Sequence, residues 1–522
     1  MDHGARGNDW LILGVLCIAA YLVAVDNTIV NVALPSLARS LHASNSGLQW
    51  VVDGYSLPFA GLLLAGGGLS DRLGRKNVML VALVSFGAFS LLAAFSHSVA
   101  QLLTARAFMG ASAAFIFPAT LSSLSVVFTD AHDRAKAFGV WGATAGVAIA
   151  TGPVAGGALL NHYWTGSIFL VNVPLVLIGL AAVWWVVPES KLAIESRFDL
   201  VGLSIGTLGV TALVLAIIEG PSWGWRSSAV LMLFALAALL IVVFTRVELA
   251  RATPLLDVRV FANRVFSASA GAVATNFFCL FGFIFLTTQY FQLVRGYSAL
   301  SAGVHTVPFA LAVIVATPLG AMTALRVGAR FVVSAGLVLT ACAMLWMATI
   351  AAQAAYVGPV LGAMIVLAIG FSLINAPATA ALMETLPPDQ IGAGASVNET
   401  TRELGGTMGV AVIGSVFASL FGPRVRDALR ASRGHGLSLA QIDQAQRSMQ
   451  AARTAVQRFP ETLQPGLRRQ VVDAFMGGLH RGCVVAGLTA LVVAVLVFAW
   501  FPSPSIKMLS EPRSLGSHVH SG

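Results

Sequence analysis

Gly67-Gly68-Leu69-Ser70-Asp71-Arg72-Leu73-Gly74-Arg75-Lys76 joins an apolar run at 48–69 to a second at 77–96. Each run is long enough to cross a bilayer, which takes about 20 apolar residues. The joint between them is therefore a tight turn at a membrane surface. Gly74 permits such a turn. Asp71 can meet the N-terminus of a neighbouring helix or a basic partner, and Arg72, Arg75 and Lys76 hold the joint on the side where cations accumulate.

The same alternation extends in both directions. Apolar runs fall at 10–34, 48–69, 77–96, 101–127, 135–160, 166–187, 199–219, 227–245, 266–291, 301–323, 330–351, 356–383, 403–421 and 478–501. The chain is 522 residues long, 57% hydrophobic and 10% charged. A soluble domain carries about 25% charged residues, so the expected class is an all-α integral membrane protein with fourteen transmembrane helices. An even number puts both termini on one side. Arg6, Arg72, Arg75, Lys76, Arg134, Lys136, Lys191, Arg197, Arg246, Arg251, Arg259, Arg264, Arg326, Arg330, Lys507 and Arg513 share the parity of the termini, whereas the short loops of the other parity hold Arg39, Arg226 and Arg295. That bias predicts cytoplasmic termini. Segment 422–477 is arginine-rich yet falls outside by parity, as long segments can. Its stretch Leu439–Phe459 reads as polar helix: a solvated surface pair, a lid or an interfacial helix.

The net charge of +9 comes from the joints rather than from a basic stripe interleaved with aromatics, so nucleic acid is not the expected partner. Cys17, Cys279, Cys342 and Cys483 show no paired spacing, which argues against disulfides and metal. The first run, Trp10 to Val25, lacks a basic lead and a small-residue cleavage site and reads as a retained helix. His42, His97, His132, His162, His305 and His480 are scattered over separate joints, unlike an enzyme's clustered site, and no P-loop pattern for nucleotide is present.

Ionisable residues inside apolar runs are costly and usually functional. Asp26 lies late in helix 1, Arg106 in helix 4 at a similar depth, Asp53 at the start of helix 2, and Glu399, Arg402 and Glu403 at the start of helix 13. Asp26 and Arg106 are expected to pair, either structurally or as a proton switch. Asp53 could instead cap a helix. Glu403 could take a cation or a second proton, pair with Arg402, or cap its helix.

The joint Gly67–Lys76 resembles the signature loop of the major facilitator superfamily. Asp26-Asn27-Thr28-Ile29-Val30-Asn31-Val32-Ala33-Leu34-Pro35 resembles the first-helix motif of that superfamily's fourteen-helix drug:proton antiporter branch. Leu102, Arg106, Gly110, Ala113 and Ala114 are similar to its arginine motif, with Met109 and Ser112 as departures. Gly139 with Gly152-Pro153-Val154-Ala155-Gly156-Gly157 resembles its antiporter motif, with Ala148 at a usual glycine. Glycines there allow close helix approach, and proline allows a kink. Trp50-Val51-Val52-Asp53-Gly54-Tyr55 looks like the antibiotic exporters of methylenomycin-resistance type. Leu325-Arg326-Val327-Gly328-Ala329-Arg330 echoes the first joint without its acid.

The resemblance implies two six-helix halves, 1–190 and 266–522, with two inserted helices within 191–265. It implies a proton-coupled antiporter exporting small hydrophobic or amphipathic drugs by alternating access. The alternative is a dedicated metabolite or lipid exporter of the same fold. It further implies a monomer in a bacterial inner membrane, driven by the proton gradient with no cofactor. Proton coupling would fall to Asp26, Arg106, Asp53 and Glu403, and the cytoplasmic gate to Gly67, Asp71, Arg72, Gly74, Arg75 and Lys76. The substrate cavity would be lined by Asn31, Phe115, Trp141, Phe281, Gln289 and Asn375.

Overall fold

The computed structural model describes residues 3–501 apart from 42–44, 191–199, 252–255, 388–389, 432–437 and 448. His42, Lys191, Arg197, Lys507 and Arg513 lie outside the described residues, as does the side chain of Asn31. Fourteen long helices make up most of the described chain. They are α1 (His3–Ser40), α2 (Asn45–Leu73), α3 (Arg75–Ala94), α4 (Val99–Val127), α5 (Ala131–His162), α6 (Asn172–Val186), α7 (Leu200–Trp223), α8 (Ser228–Ala250), α9 (Arg264–Gln289), α10 (Ala299–Val327), α11 (Ala329–Met347), α12 (Leu361–Glu384), α13 (Ile391–Ala431) and α14 (Gln464–Trp500).

Local signals set their ends. Ser98, Asp130, Ser227, Asn263 and Ser298 each accept a backbone N–H in the first turn of α4, α5, α8, α9 and α10, satisfying donors the helix cannot. Gly74 and Gly328 adopt the same left-handed-side conformation, φ 102° and 97°. Each joins two antiparallel spans at the equivalent place of the two halves, so the echoed joint is a structural repeat.

Thirteen described helices are long and apolar enough to cross a membrane. The remaining one, α2, carries Asp53, Ser56 and six glycines and packs against α4, α13 and α7. It is a spanning helix shielded from lipid by its neighbours. Elsewhere Val81, Leu177, Val315 and Val495 point outward at 71%, 61%, 63% and 64% exposure. So much exposed apolar surface calls for a lipid solvent. Burial gathers into one core built mainly on α1–α6, which Val214 of α7, Phe244 of α8, Phe266 of α9, Leu382 of α12 and Ala395 of α13 join, and another of α9–α14. The inserted pair α7–α8 leans on α2 and α13.

Two boundaries differ from expectation. Helix α13 begins at Ile391, not near 403, and runs on to Ala431. Its first turns are polar (Ser396, Asn398, Glu399, Thr400, Arg402) but buried, so their burial is paid for by partners that hydropathy cannot see. Helix α14 begins at Gln464 rather than 478. The two extensions, with short helices Leu439–Arg447 and Met449–Val456, enclose a small core. Phe421, Val425 and Leu429 meet Met449, Ala452, Val456, Phe459, Leu467 and Phe475. The segment expected to be a solvated pair thus buries one face and exposes the other, and Arg453 Nη1 donates to Leu293 O at 3.2 Å.

Candidate functional site

The most deeply buried charges lie in the first half. Arg106 on α4 and Asp26 on α1 are both 0% exposed, with Arg106 Nη1 2.5 Å from Asp26 Oδ2. Arg106 Nε donates to Val51 O at 3.1 Å, and the guanidinium lies 4.3 Å from the Tyr55 ring centroid. The other Asp26 oxygen accepts from Asn172 Nδ2 at 2.7 Å. The carboxylate is thus held by α4 and α6 at once, and the cation by α1 and α2. Arg106 Nη2 and Tyr55 Oη lack a hydrogen-bond partner among the described residues. Charges so far from water persist only when paired and hydrogen-bonded. Asn172 and Tyr55 were not singled out by sequence reasoning, although Tyr55 ends the quoted Trp50–Tyr55 motif.

A second acidic pair crosses between the halves. Asp53 and Ser56 are on α2, Glu403 on α13, and Ser56 hydrogen-bonds the Glu403 carboxylate, with Asp53 and Glu399 in electrostatic range. Asp53 lies eight residues inside α2, so it does not cap that helix. Glu403 lies twelve residues inside α13, so it neither opens nor caps it. Nor is Arg402 its partner. Arg402 Nη1 is 3.4 Å from Glu399 Oε1, and Nη2 donates to Thr379 Oγ1 at 3.0 Å. The Arg402 guanidinium sits 5.0 Å from the Trp141 ring centroid of α5 and 5.2 Å from that of Phe277 on α9. One cation is thereby stacked against both halves.

The end carrying Gly67–Lys76 is closed. Asp71 accepts from Arg75 Nη2 at 2.5 Å and from the Gly392 N–H at 2.9 Å, at the N-terminus of α13. Arg75 Nη1 donates to Ser190 Oγ at 3.3 Å. A Cβ at Gly67 would lie 2.0 Å from Ser396 Oγ and 2.2 Å from Gly392 O, so only glycine admits this approach of α2 to α13. Arg72 is half-buried beside them. Arg134 and Glu384 add an ion pair at 3.8 Å between α5 and α12.

Along the seam between halves, α5 packs on α10. Gly139 faces the Pro318 Cα at 2.9 Å from where its Cβ would be, Gly157 faces Leu300, and Pro153 fills the space over Gly303. On its other side Gly152 abuts Thr28 and Gly156 abuts Ile29 of α1.

At the end away from the joint, a small cavity opens between α1, α5, α9, α10 and α12. Thr28, Pro153, Phe283, Thr287, Phe309 and Met364 are among its walls. The expected cavity residues sit elsewhere. Trp141 is buried at 2% exposure, donating to Thr120 Oγ1 at 3.2 Å. Asn375 is fully buried against Gly142. Phe115 and Phe281 are half-buried beside Gly66 and Gly406, and Gln289 donates to Phe285 O at 3.3 Å. In this conformation the halves are packed together over Trp141 and Asn375, which closes whatever space they would line.

A bundle of long apolar helices around buried ionisable residues, sealed at one end by a charged joint, has the architecture of a multi-pass membrane transporter. The chain belongs to the Major Facilitator Superfamily, whose family model matches residues 16–410. It is 31% identical over 487 residues to multidrug resistance protein Stp of Mycobacterium tuberculosis, covering 92% of this chain and 90% of Stp. It is 32% identical over 488 residues to the multidrug efflux pump LfrA of Mycolicibacterium smegmatis, covering 94% and 95%. It is 37% identical over 297 residues to the methylenomycin A resistance protein of Bacillus subtilis, covering 57% and 64%. The fold is similar to that of the human organic anion transporter MFSD10, with TM-score 0.60 at 15% identity over 95% of this chain and 100% of the other.

Proposed function

We propose that this chain is a proton-coupled antiporter of a bacterial inner membrane, exporting small hydrophobic or amphipathic drugs from the cytoplasm by alternating access. The halves 1–190 and 266–522 would rock about the seam between α5 and α10, with the Gly67–Lys76 joint facing the cytoplasm. The observation that carries the reading is the fully buried Asp26–Arg106 pair, 2.5 Å apart, with Asn172 on the free carboxylate oxygen. A proton arriving on Asp26 would neutralise the acid and release Arg106, whose unsatisfied Nη2 would then need another partner. That is a local charge change able to bias two arrangements of α1 and α4. Asp53 and Glu403 bring two carboxyls of different halves within electrostatic range, and a proton on either lowers their repulsion.

The apolar cavity walls suit hydrophobic ligands, and the names of Stp, LfrA and the methylenomycin A resistance protein support drug export. One proton crossing ~100 mV supplies about 2.3 kcal/mol, roughly a fiftyfold gradient of a neutral substrate.

The test is a pH-gradient assay in inverted membrane vesicles with a panel of lipophilic dyes and antibiotics. Substrate-induced collapse of the gradient is expected for the wild type and is lost in Asp26→Asn and Arg106→Ala. Collapse that survives Asp26→Asn moves the coupling to Asp53 or Glu403. A wild type that answers none of the compounds points to a dedicated metabolite or lipid exporter.

A further inference from the structure

Between α3 and α6, away from the seam and the cavity, the surface carries a groove of about 490 Å³ walled by Leu80, Val81, Val84, Leu180, Ala181 and Trp185. Its walls face outward, with Val81 71% and Trp185 85% exposed. The floor is close-packed, because Gly87 sets α3 against Val176 of α6 and Leu83 faces Gly179. It is therefore a furrow on the bilayer side rather than a passage into the protein.

A single cation stands at its mouth. Lys76, Leu80 and Val84 follow one another at four-residue intervals along α3, hence on one face. Lys76 Nζ reaches across to donate to Trp184 O at 2.6 Å, with its ammonium 5.8 Å from the Trp184 ring centroid. An ammonium has three donors, and this contact uses one. Among the described residues Lys76 has no acidic partner within ion-pair distance. Trp184 and Trp185 mark the level of the headgroups, where such rings settle. From Lys76 to Val84 the furrow runs about 12 Å into the apolar layer at 1.5 Å per residue.

We propose that this furrow is a binding site for an anionic glycerophospholipid of the adjoining leaflet. One acyl chain lies along Leu80, Val84 and Ala181, and the phosphate receives the free Lys76 N–H groups. Chain and charge are both required. The apolar walls accept any lipid tail, and the uncompensated ammonium at the mouth selects a net negative headgroup. This site is independent of the transport reading and would stand if that reading failed.

The test uses the purified full-length chain in detergent. Native mass spectrometry counts retained lipid after titration with phosphatidylglycerol or with phosphatidylcholine of the same chains. The wild type retains phosphatidylglycerol in preference to phosphatidylcholine. Lys76→Gln lowers that retention about fivefold, the worth of one cation at an anionic surface. Ala181→Trp, which fills the furrow and leaves the charge, lowers retention of both lipids. Lys136→Gln, which removes a cation from another joint, changes neither. Gel filtration of each variant establishes that it is folded. Equal retention of the two lipids by the wild type overturns the proposal, as does undiminished phosphatidylglycerol retention in folded Lys76→Gln or Ala181→Trp.

Discussion

Replacing Asp71 by Asn preserves the side-chain shape and removes one charge at the closed end. Two of Asp71's contacts differ in kind. Oδ1 accepts from Arg75 within its own half, and Oδ2 accepts from the Gly392 N–H of the other half at 2.9 Å. If the halves rock as proposed, the second is broken when they part while the first is kept, so the second biases the gate. A hydrogen bond to a charged acceptor is worth about 1.5–3 kcal/mol against about 0.5–1.5 for a neutral one. A carboxylate at a helix N-terminus adds about 0.3–1 kcal/mol. The loss of roughly 2 kcal/mol shifts the closed-to-open ratio about thirtyfold.

Ala395, 0% exposed and packed among residues of the other half, is a suitable reporter. In a background with Cys17, Cys279, Cys342 and Cys483 changed to Ser, Ala395→Cys should react slowly with a thiol reagent. It should react about thirtyfold faster once Asp71→Asn is added. The same substitution lowers thermal stability in either state, because Arg75 keeps only its Ser190 contact, so a fall in Tm alone does not support the reasoning. An unchanged labelling rate in a folded Asp71→Asn variant refutes it, and would mean that Asp71 serves its own half alone.

Other outcomes follow from the same geometry. Asp26→Ala leaves Arg106 as an uncompensated buried charge and should cost about 3–5 kcal/mol, read as a large fall in Tm, whereas Asp26→Asn keeps the Asn172 side of the site and should lose coupling with a smaller fall. Gly139→Val and Gly152→Val should abolish transport, since their Cβ positions lie 2.9 Å from Pro318 Cα and 2.1 Å from Thr28 Oγ1, while Gly271→Ala, with nothing within 4 Å, should transport normally. Trp141→Phe should retain a ring under Arg402 and lose the Thr120 bond, costing about 1 kcal/mol; Trp141→Ala should cost about 3–5 kcal/mol and loosen the seam in the labelling assay. Arg134→Gln breaks a partly exposed ion pair and should cost no more than about 1 kcal/mol of stability, read as a small fall in Tm that added salt should mimic.

The amino-acid sequence by itself determined the solvent of this protein, the number of its spans and the joints between them. Lipid tolerates apolar runs without charge, and each turn at the surface needs its own glycine, cap or cation, so those signals are local and legible. The Asp26–Arg106 pairing was also legible, because matching depth in two apolar runs leaves a buried charge few other partners. Asn172 on the other side of Asp26 was not, since α6 could reach that carboxylate only once α1, α4 and α6 had packed.

The start of α13 escaped detection for the same reason. Glu399 and Arg402 read as the opening of helix 13, with polar Ser396 and Asn398 ahead of it, until Thr379, Trp141 and Gly67 of α2 are placed against them. The small core under 422–477 depends likewise on residues from four separate helices meeting. Tertiary structure alone decides where open space lies in this conformation: Trp141 and Asn375 are packed between the halves, and a small cavity opens among Thr28, Pro153, Phe283 and Met364. A residue's exposure to that space depends on the relative position of two rigid halves, which no local pattern encodes.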